Sequence, residues 1–453
     1  MIFLLILTAA TIYYLSVSIS HFYNYRNKYW FRFEFSFIKY FNLYAMSPII
    51  KRYLKFISFI IIVSLLASGG AKGQSKFDTL TKRMQTLFLN DSLPGLSVVL
   101  VNTKGIVYQK NFGYADIANK VPYTTATIQN IGSVSKTLIA VAIMKAVELK
   151  YFTLETDIND ILPFKVVNPN APNGRITVRE LTNHTSGIVD NPAIYPDTYK
   201  FFPAIRSYSQ SAYDVLQSLG YRQKVTDTSM KDFFPNYLSP GGKYYKSENF
   251  GKGSPGSTSS YSNGASALAA YLIEVKSGLS YAAFTTKYIL RPMKMAHSGW
   301  VLDTGKLTTM ARPYYDLDRS FPMYSWITYP EGGLRTCTAD LSKYLIGIMN
   351  GYNGDTTLLS NASYKTMFTK QFSNENPPLG IKLTHRNKGI FWNLYNDGTI
   401  GHDGDDPGVI SFLFFNPATG LGGIFLCNKY LPNKQPLVDL LLDATNTSLP
   451  AKN

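Results

Sequence analysis

Two β-rich segments at opposite ends of the chain most constrain what it can fold into. GLSVVLVNTKGIVYQKNFGYAD, from Gly95 to Asp116, has the β-branched and aromatic content of two strands joined by a turn over Asn102 to Gly105. VISFLFFN (Val409 to Asn416) and GGIFLCN (Gly422 to Asn428) repeat that pattern around the turn PATG. Between the two ends the apolar spacing becomes helical. Leu138, Ile139, Val141, Ala142, Met144, Ala146, Val147 and Leu149 predict a mostly buried helix over Ser133 to Leu149. Tyr271 to Lys276 and Tyr281 to Leu290 read as helical fragments, Lys76 to Asn90 as an amphipathic helix and Pro436 to Asp443 as a final one. The expected fold class is therefore α/β (α+β), an antiparallel sheet built from both chain ends and flanked by helices, with a helix-rich subdomain inserted.

Composition narrows the function. Of 453 residues 45% are hydrophobic and 16% charged, which excludes disorder of the whole, and no fixed-period repeat is present. The net charge is +16, but residues 1–73 hold eight Lys or Arg against the single acid Glu34. The body is only mildly basic, as solubility or attraction to an anionic cell surface would require. No zinc-finger spacing or compact basic helix is present, so no nucleic-acid partner is expected. Cys337 and Cys427 allow one disulfide or two buried thiols, and no C-x-x-C or four-cysteine metal site.

The first 73 residues carry two apolar stretches. Met1 to Ser20 is nearly long enough to span a bilayer. From Met46, the basic KRYLK, the apolar FISFIIIVSLLA and the small-residue exit ASGGAKG have the order of a secretory signal peptide, over 46–73. Residues 1–45 are then an upstream extension of the reading frame, or else a first transmembrane segment. Either reading exports a body spanning 74–453 to the periplasm or the medium, unless an uncleaved helix anchors it. Membrane association through the N-terminal apolar segments is an expectation of the same reading.

Three motifs carry chemistry. In IGSVSKTLIA, Ser133 and Lys136 are three apart and share a helix face, so an amine lies beside a hydroxyl that needs a proton acceptor. In Tyr261-Ser262-Asn263, before the helix-forming GASALAAYLIEV, the phenol can shuttle a proton and the amide can donate to a substrate carbonyl. The alternative is an ordinary helix cap by Ser262 or Asn263 with Tyr261 packed. In GHDGDDPG, Gly401 to Gly408, His402 can polarise or protonate and the Gly-rich backbone can aim an N–H at an oxyanion. The alternatives there are a metal held by His402, Asp403, Asp405 and Asp406, or a solvated acidic turn. Calcium-loop spacing is absent, so no metal and no cofactor are expected.

Together the three motifs resemble the serine β-lactamase and penicillin-binding-protein superfamily, in its class C-like branch of β-lactamases, D-alanyl-D-alanine carboxypeptidases, D-aminopeptidases and esterases. The resemblance extends over ITVRELTNHTSGI (Ile176 to Ile188), PGSTSSYSN, YILRPMKMAHSGW (Tyr288 to Trp300) and PEGGLRTCTADLSKYL (Pro330 to Leu345). It implies a β-lactamase/transpeptidase-like fold, with Ser133 as nucleophile and Lys136 and Tyr261 handling its proton. Asn263 would meet substrate, and His402-Asp403-Gly404 would stand in place of the usual K-T-G. The oxyanion would be held by the backbone N–H groups of Ser133 and Asp405. His184 would be structural. Asp403 replaces a hydroxyl that helps bind carboxylate substrates, and a carboxylate there repels an anion unless it faces away. The expected partner is a small ester, amide or peptidoglycan-like molecule. A β-lactamase or D-alanyl-D-alanine carboxypeptidase is one alternative, and a catalytically silent cell-wall-binding relative another.

Overall fold

The computed structural model describes residues 77–375 and 377–446. A helix over 77–90 (α1) precedes strands β1 (Gly95–Asn102), β2 (Gly105–Asp116) and β3 (Val121–Pro122). After a long helical stretch come β4 (Arg386–Lys388), β5 (Asn393–Tyr395), β6 (Ile400–Asp406), β7 (Val409–Asn416) and β8 (Leu421–Cys427). These eight strands form one antiparallel sheet in the order β3-β2-β1-β8-β7-β6-β5-β4. The two chain ends meet at its centre, where Leu96 pairs with Cys427 and Asn102 with Leu421.

The sheet is buried on both faces, which is why its central strands are almost continuously apolar. Leu96, Val98, Leu100, Phe412, Phe414 and Phe425 face α1 and the last helix, α5 (Gln435–Asn446). Val99, Val101, Leu413, Phe415, Ile424 and Leu426 face the helical body. That body contains α2 (Lys136–Glu148), α3 (Asn263–Ser277) and α4 (Thr338–Tyr352). Alternate residues of each strand thus fill separate cores. Each fully buried Leu or Phe contributes about 1.5–3 kcal/mol relative to an exposed one.

Two readings change. Of those weighed for GHDGDDPG, the solvated acidic turn is not what forms: Gly401 to Asp406 lie within β6, with Gly401 opposite Phe414 and Asp405 opposite Ile410. Pairing along β7 overrides the poor strand propensity of Gly and Asp, because the neighbouring strand supplies ladder partners. Membrane association is corrected as well. Among the described residues no helix is long and apolar enough to cross a membrane. The apolar stretches that prompted that expectation, and the signal-peptide segment, lie outside the described residues.

The aromatic segment between Asp190 and Tyr221, together with 323–326, makes a small core of its own. Tyr199 stacks on Trp326 with ring centroids 4.9 Å apart, and Phe201, Tyr324, Ala212 and Leu216 complete it. Cys337 and Cys427 are both buried free thiols.

Candidate active site

Ser133 lies in a single 3-10 turn, Gly132–Ser135, which runs into α2 at Lys136. Side chains three apart eclipse in a 3-10 turn, and Lys136 Nζ accordingly donates to Ser133 Oγ at 3.0 Å. Gly132 has φ +50°, a conformation that strains any residue with a Cβ. A Cβ at Gly132 would also stand 2.8 Å from the Asp405 backbone nitrogen.

Tyr261 reaches the same oxygen from the other side, its hydroxyl donating to Ser133 Oγ at 2.6 Å. The Y-x-N motif is both a helix cap and a supplier of site groups. Ser262 Oγ accepts from Ala265 N at 3.0 Å, while half-buried Asp190 accepts from Ser262 Oγ, Asn263 N and Gly264 N. Capping therefore fixes the direction in which Tyr261 and Asn263 leave the start of α3. Asn263 Oδ1 accepts from Lys136 Nζ at 2.7 Å, and its Nδ2 has no hydrogen-bond partner among the described residues. His184 packs its ring against Tyr261 with centroids 4.5 Å apart and accepts from Ser262 N, so it braces the motif.

Strand β6 passes beside Ser133. A Cβ on Gly404 would stand 3.0 Å from Ser133 N and press on Ile131 O and Ser411 Oγ. The backbone of β6 around Gly404 and Asp405 thus lies against the turn that carries Ser133, with no room for a side chain at Gly404. Gly404→Ala is expected to push the strand off and lower kcat on an activated ester about 10²–10³-fold, the usual cost of losing one oxyanion donor. A kcat within a factor of three of wild type would argue against an oxyanion site at this end of β6.

Alternation along β6 separates its side chains. His402 is buried, with its ring centroid 6.4 Å from that of Tyr261. Its Nδ1 meets Asp403 O at 2.6 Å, and since a carbonyl only accepts, Nδ1 carries the hydrogen and Nε2 is left as an acceptor. Burial pushes the imidazole down to about 4, so it is neutral at neutral pH. Asp403 and Asp405 both ion-pair with Lys434, at 2.7 Å for Asp403. Although burial opposes it, Lys434 holds the Asp403 carboxyl down at about 2. The repulsion of anionic substrates expected from Asp403 is thereby offset. Asp406 is turned elsewhere, accepting from Tyr199 OH at 2.8 Å. Of the four groups considered for a metal, Asp403 and Asp405 are thus held by Lys434, Asp406 by Tyr199, and His402 Nδ1 by a backbone carbonyl. The described side chains whose ligand atoms do converge, within 4.8 Å, are His297, Cys337 and Asp340, and Lys343 Nζ already neutralises Asp340 at 2.7 Å.

Two buried charges were missed from sequence. Glu331 Oε2 lies 3.2 Å from Lys136 Nζ, and its carbonyl oxygen accepts from the same nitrogen at 2.8 Å. Burial lowers the proton affinity of Lys136, but Tyr261 and Glu331 outweigh it and the ammonium is held above its ordinary value. Burial and neighbouring Asp190 hold the Glu331 carboxyl above its ordinary value against the pull of Lys136. Burial likewise raises the Tyr261 phenol, with Lys136 opposing. Tyr261 as a whole is nevertheless 46% exposed. Lys388, on β4, is the second; burial and Arg386 push it down to about 7, and it donates to Asn393 Oδ1 at 2.7 Å. The letter E in PEGGL is the only sequence signal for Glu331, and Lys388 has none.

The sheet closed by both chain ends and the serine, lysine and tyrosine gathered beside it define a serine β-lactamase/penicillin-binding-protein-like protein of the class C-like kind. The chain belongs to the Beta-lactamase family, whose model matches residues 77–445. It is 23% identical over 349 residues to Protein flp of Staphylococcus aureus (strain N315), covering 75% of this chain but 61% of that relative's length. It is 25% identical over 359 residues to Penicillin-binding protein 4* of Bacillus subtilis (strain 168), covering 73% and 68%. In fold it is similar to the octameric penicillin-binding protein homologue from Pyrococcus abyssi, with TM-score 0.64 and 23% identity over 82% of this chain and 79% of that one. A penicillin-binding protein from Bacillus halodurans aligns with TM-score 0.59 and 19% identity, over 79% and 98%.

Proposed function

We propose that the protein is an exported serine hydrolase that works through an acyl-enzyme at Ser133 on ester or amide bonds of small or cell-wall-derived substrates. The observation that carries this reading is the convergence of Lys136 Nζ and Tyr261 OH on Ser133 Oγ, at 3.0 and 2.6 Å. A serine hydroxyl is a weak nucleophile until neighbouring groups take its proton. As Oγ adds to the carbonyl carbon, the Lys136 and Tyr261 pair removes that proton and later returns it to the leaving group. The N–H groups of Ser133 and Asp405 hold the oxyanion. Asn263 Nδ2 donates to the substrate. Tyr261, or His402 through Nε2, then activates the water that frees the acid. Export is supported by the signal-peptide order of residues 46–73.

The second reading, a β-lactamase or D-alanyl-D-alanine carboxypeptidase, is favoured by one observation: Lys434 is shared between Asp403 and Asp405, which weakens the repulsion an anionic substrate meets there. The test is intact-mass spectrometry after exposure to an alkyl fluorophosphonate and to benzylpenicillin, followed by a panel of esters and D-amino-acid amides. One fluorophosphonate adduct with turnover of an ester or amide supports the first reading, and a penicillin adduct or ring opening supports the second. No adduct of either kind on folded protein overturns both and leaves a catalytically silent binding protein.

A further inference from the structure

Glu331 closes the short turn Tyr329–Glu331 with its side chain buried. Trp326 Nε1 donates to Oε1 at 2.9 Å and Tyr195 OH to the same oxygen at 3.3 Å, which leaves Oε2 aimed at Lys136 Nζ. The charged and titratable groups facing it are Lys136, Asp190, Asp406 and the phenols of Tyr195, Tyr199, Tyr221 and Tyr261. Of the three acids, Asp190 spends its oxygens on the start of α3, and Asp406 spends its own on Tyr199 and Asn130. Of these three acids only Glu331 touches Nζ.

Lys136 Nζ has four acceptors within 3.2 Å: Ser133 Oγ, Asn263 Oδ1, Glu331 O and Glu331 Oε2. An ammonium has three protons and no lone pair. It cannot take the Ser133 proton without giving one up.

Building on the acyl-enzyme reading, we propose that Glu331 is the proton-accepting residue behind Lys136. As Ser133 Oγ bonds to the carbonyl carbon, the carbonyl π pair moves to oxygen and the Oγ–H bond breaks. One Nζ–H bond forms, another breaks, and an Oε2–H bond forms. Lys136 stays an ammonium throughout, and Glu331 changes from carboxylate to acid. Collapse of the tetrahedral intermediate returns the proton along the same path to the leaving group. Glu331 touches no substrate; it is a positioning residue acting through Lys136.

The test measures the second-order rate of fluorophosphonate labelling against pH for wild type, Glu331→Gln and Glu331→Asp. In wild type the acid limb follows protonation of Glu331. With Gln at that place Lys136 must itself be unprotonated to act, so the limb should move to higher pH by at least about one unit and the rate at neutral pH fall about 10–100-fold. Asp should return the limb towards wild type. A rate lowered evenly at all pH values, with the limb unmoved, overturns the proposal. Should the Gln variant not fold, the wild-type rate in H2O/D2O mixtures decides instead. Two protons in flight give a curved dependence on deuterium fraction, and a linear one overturns the relay. No labelling of wild type would defeat the acyl-enzyme reading itself, whereas labelling with a linear dependence and a fixed limb defeats only the role of Glu331.

Discussion

Ser133→Ala is expected to remove fluorophosphonate labelling altogether and to lower ester hydrolysis at least ~10³–10⁴-fold, with little change in stability. The hydroxyl is half-buried and serves as a meeting point for Lys136 Nζ and Tyr261 OH rather than as a support for the core. Without it, Lys136 keeps three acceptors, Asn263 Oδ1 and the two oxygens of Glu331, so the ammonium remains satisfied. Intact mass, turnover and thermal unfolding measured on one preparation check all three parts. An adduct persisting on the Ala variant would place the reactive nucleophile elsewhere and end the assignment of Ser133.

Lys136→Met should fail in both activity and stability. Activity falls at least ~10³-fold because Ser133 loses its proton-handling amine. Stability falls by about 3–5 kcal/mol, the usual result of leaving one member of a buried ion pair uncompensated. The pair is fully enclosed, with the Lys136 side chain 0% and the Glu331 side chain 4% exposed. The loss should depend on pH in a defined sense. Without the cation, burial holds the Glu331 carboxyl further above its unfolded value, so the folded state binds the extra proton. Stability is then retained below the ordinary glutamate range and lost as pH rises from there through the raised folded-state value. Denaturant midpoints at pH 4 and pH 8 should diverge for Lys136→Met, and converge when Glu331→Gln is added. Equal loss at both pH values would show that Glu331 was not the charge left behind.

This buried pair also explains why the aromatic segment after Asp190 matters to a distant serine. Trp326 and Tyr195 clamp Glu331, Tyr199 clamps Asp406, and Tyr199 and Trp326 stack on each other. Side chains with no reach to Ser133 therefore fix the surroundings of the lysine beside it. Substitutions in that small core would be read first in the pH dependence of labelling, because they shift the field on Glu331 before they disturb Ser133.

Much of this arrangement was legible in one dimension. Strand alternation and helical spacing are local patterns, so the β1-β2 and β7-β8 hairpins and helix α2 could be read directly, and the three-residue spacing of Ser133 and Lys136 already implied contact. Tyr261 and Asn263 were legible through their motif, since a capped helix start fixes the two side chains on either side of the cap. What sequence could not supply were the relations that depend on which surfaces meet. Gly401 to Asp406 carries no strand signal because Gly and Asp are poor strand formers, and only pairing with β7 makes it β6. Asp403 reads as repulsive until Lys434, from the connection after β8, pairs with it. Nothing in PEGGL marks Glu331 as more than one letter of a glycine-rich segment, yet it lies buried against Lys136, 195 positions away. The physical reason is common to all three: propensity and periodicity act over a few residues, whereas charge compensation and strand pairing act across space. They are decided only when the core has closed.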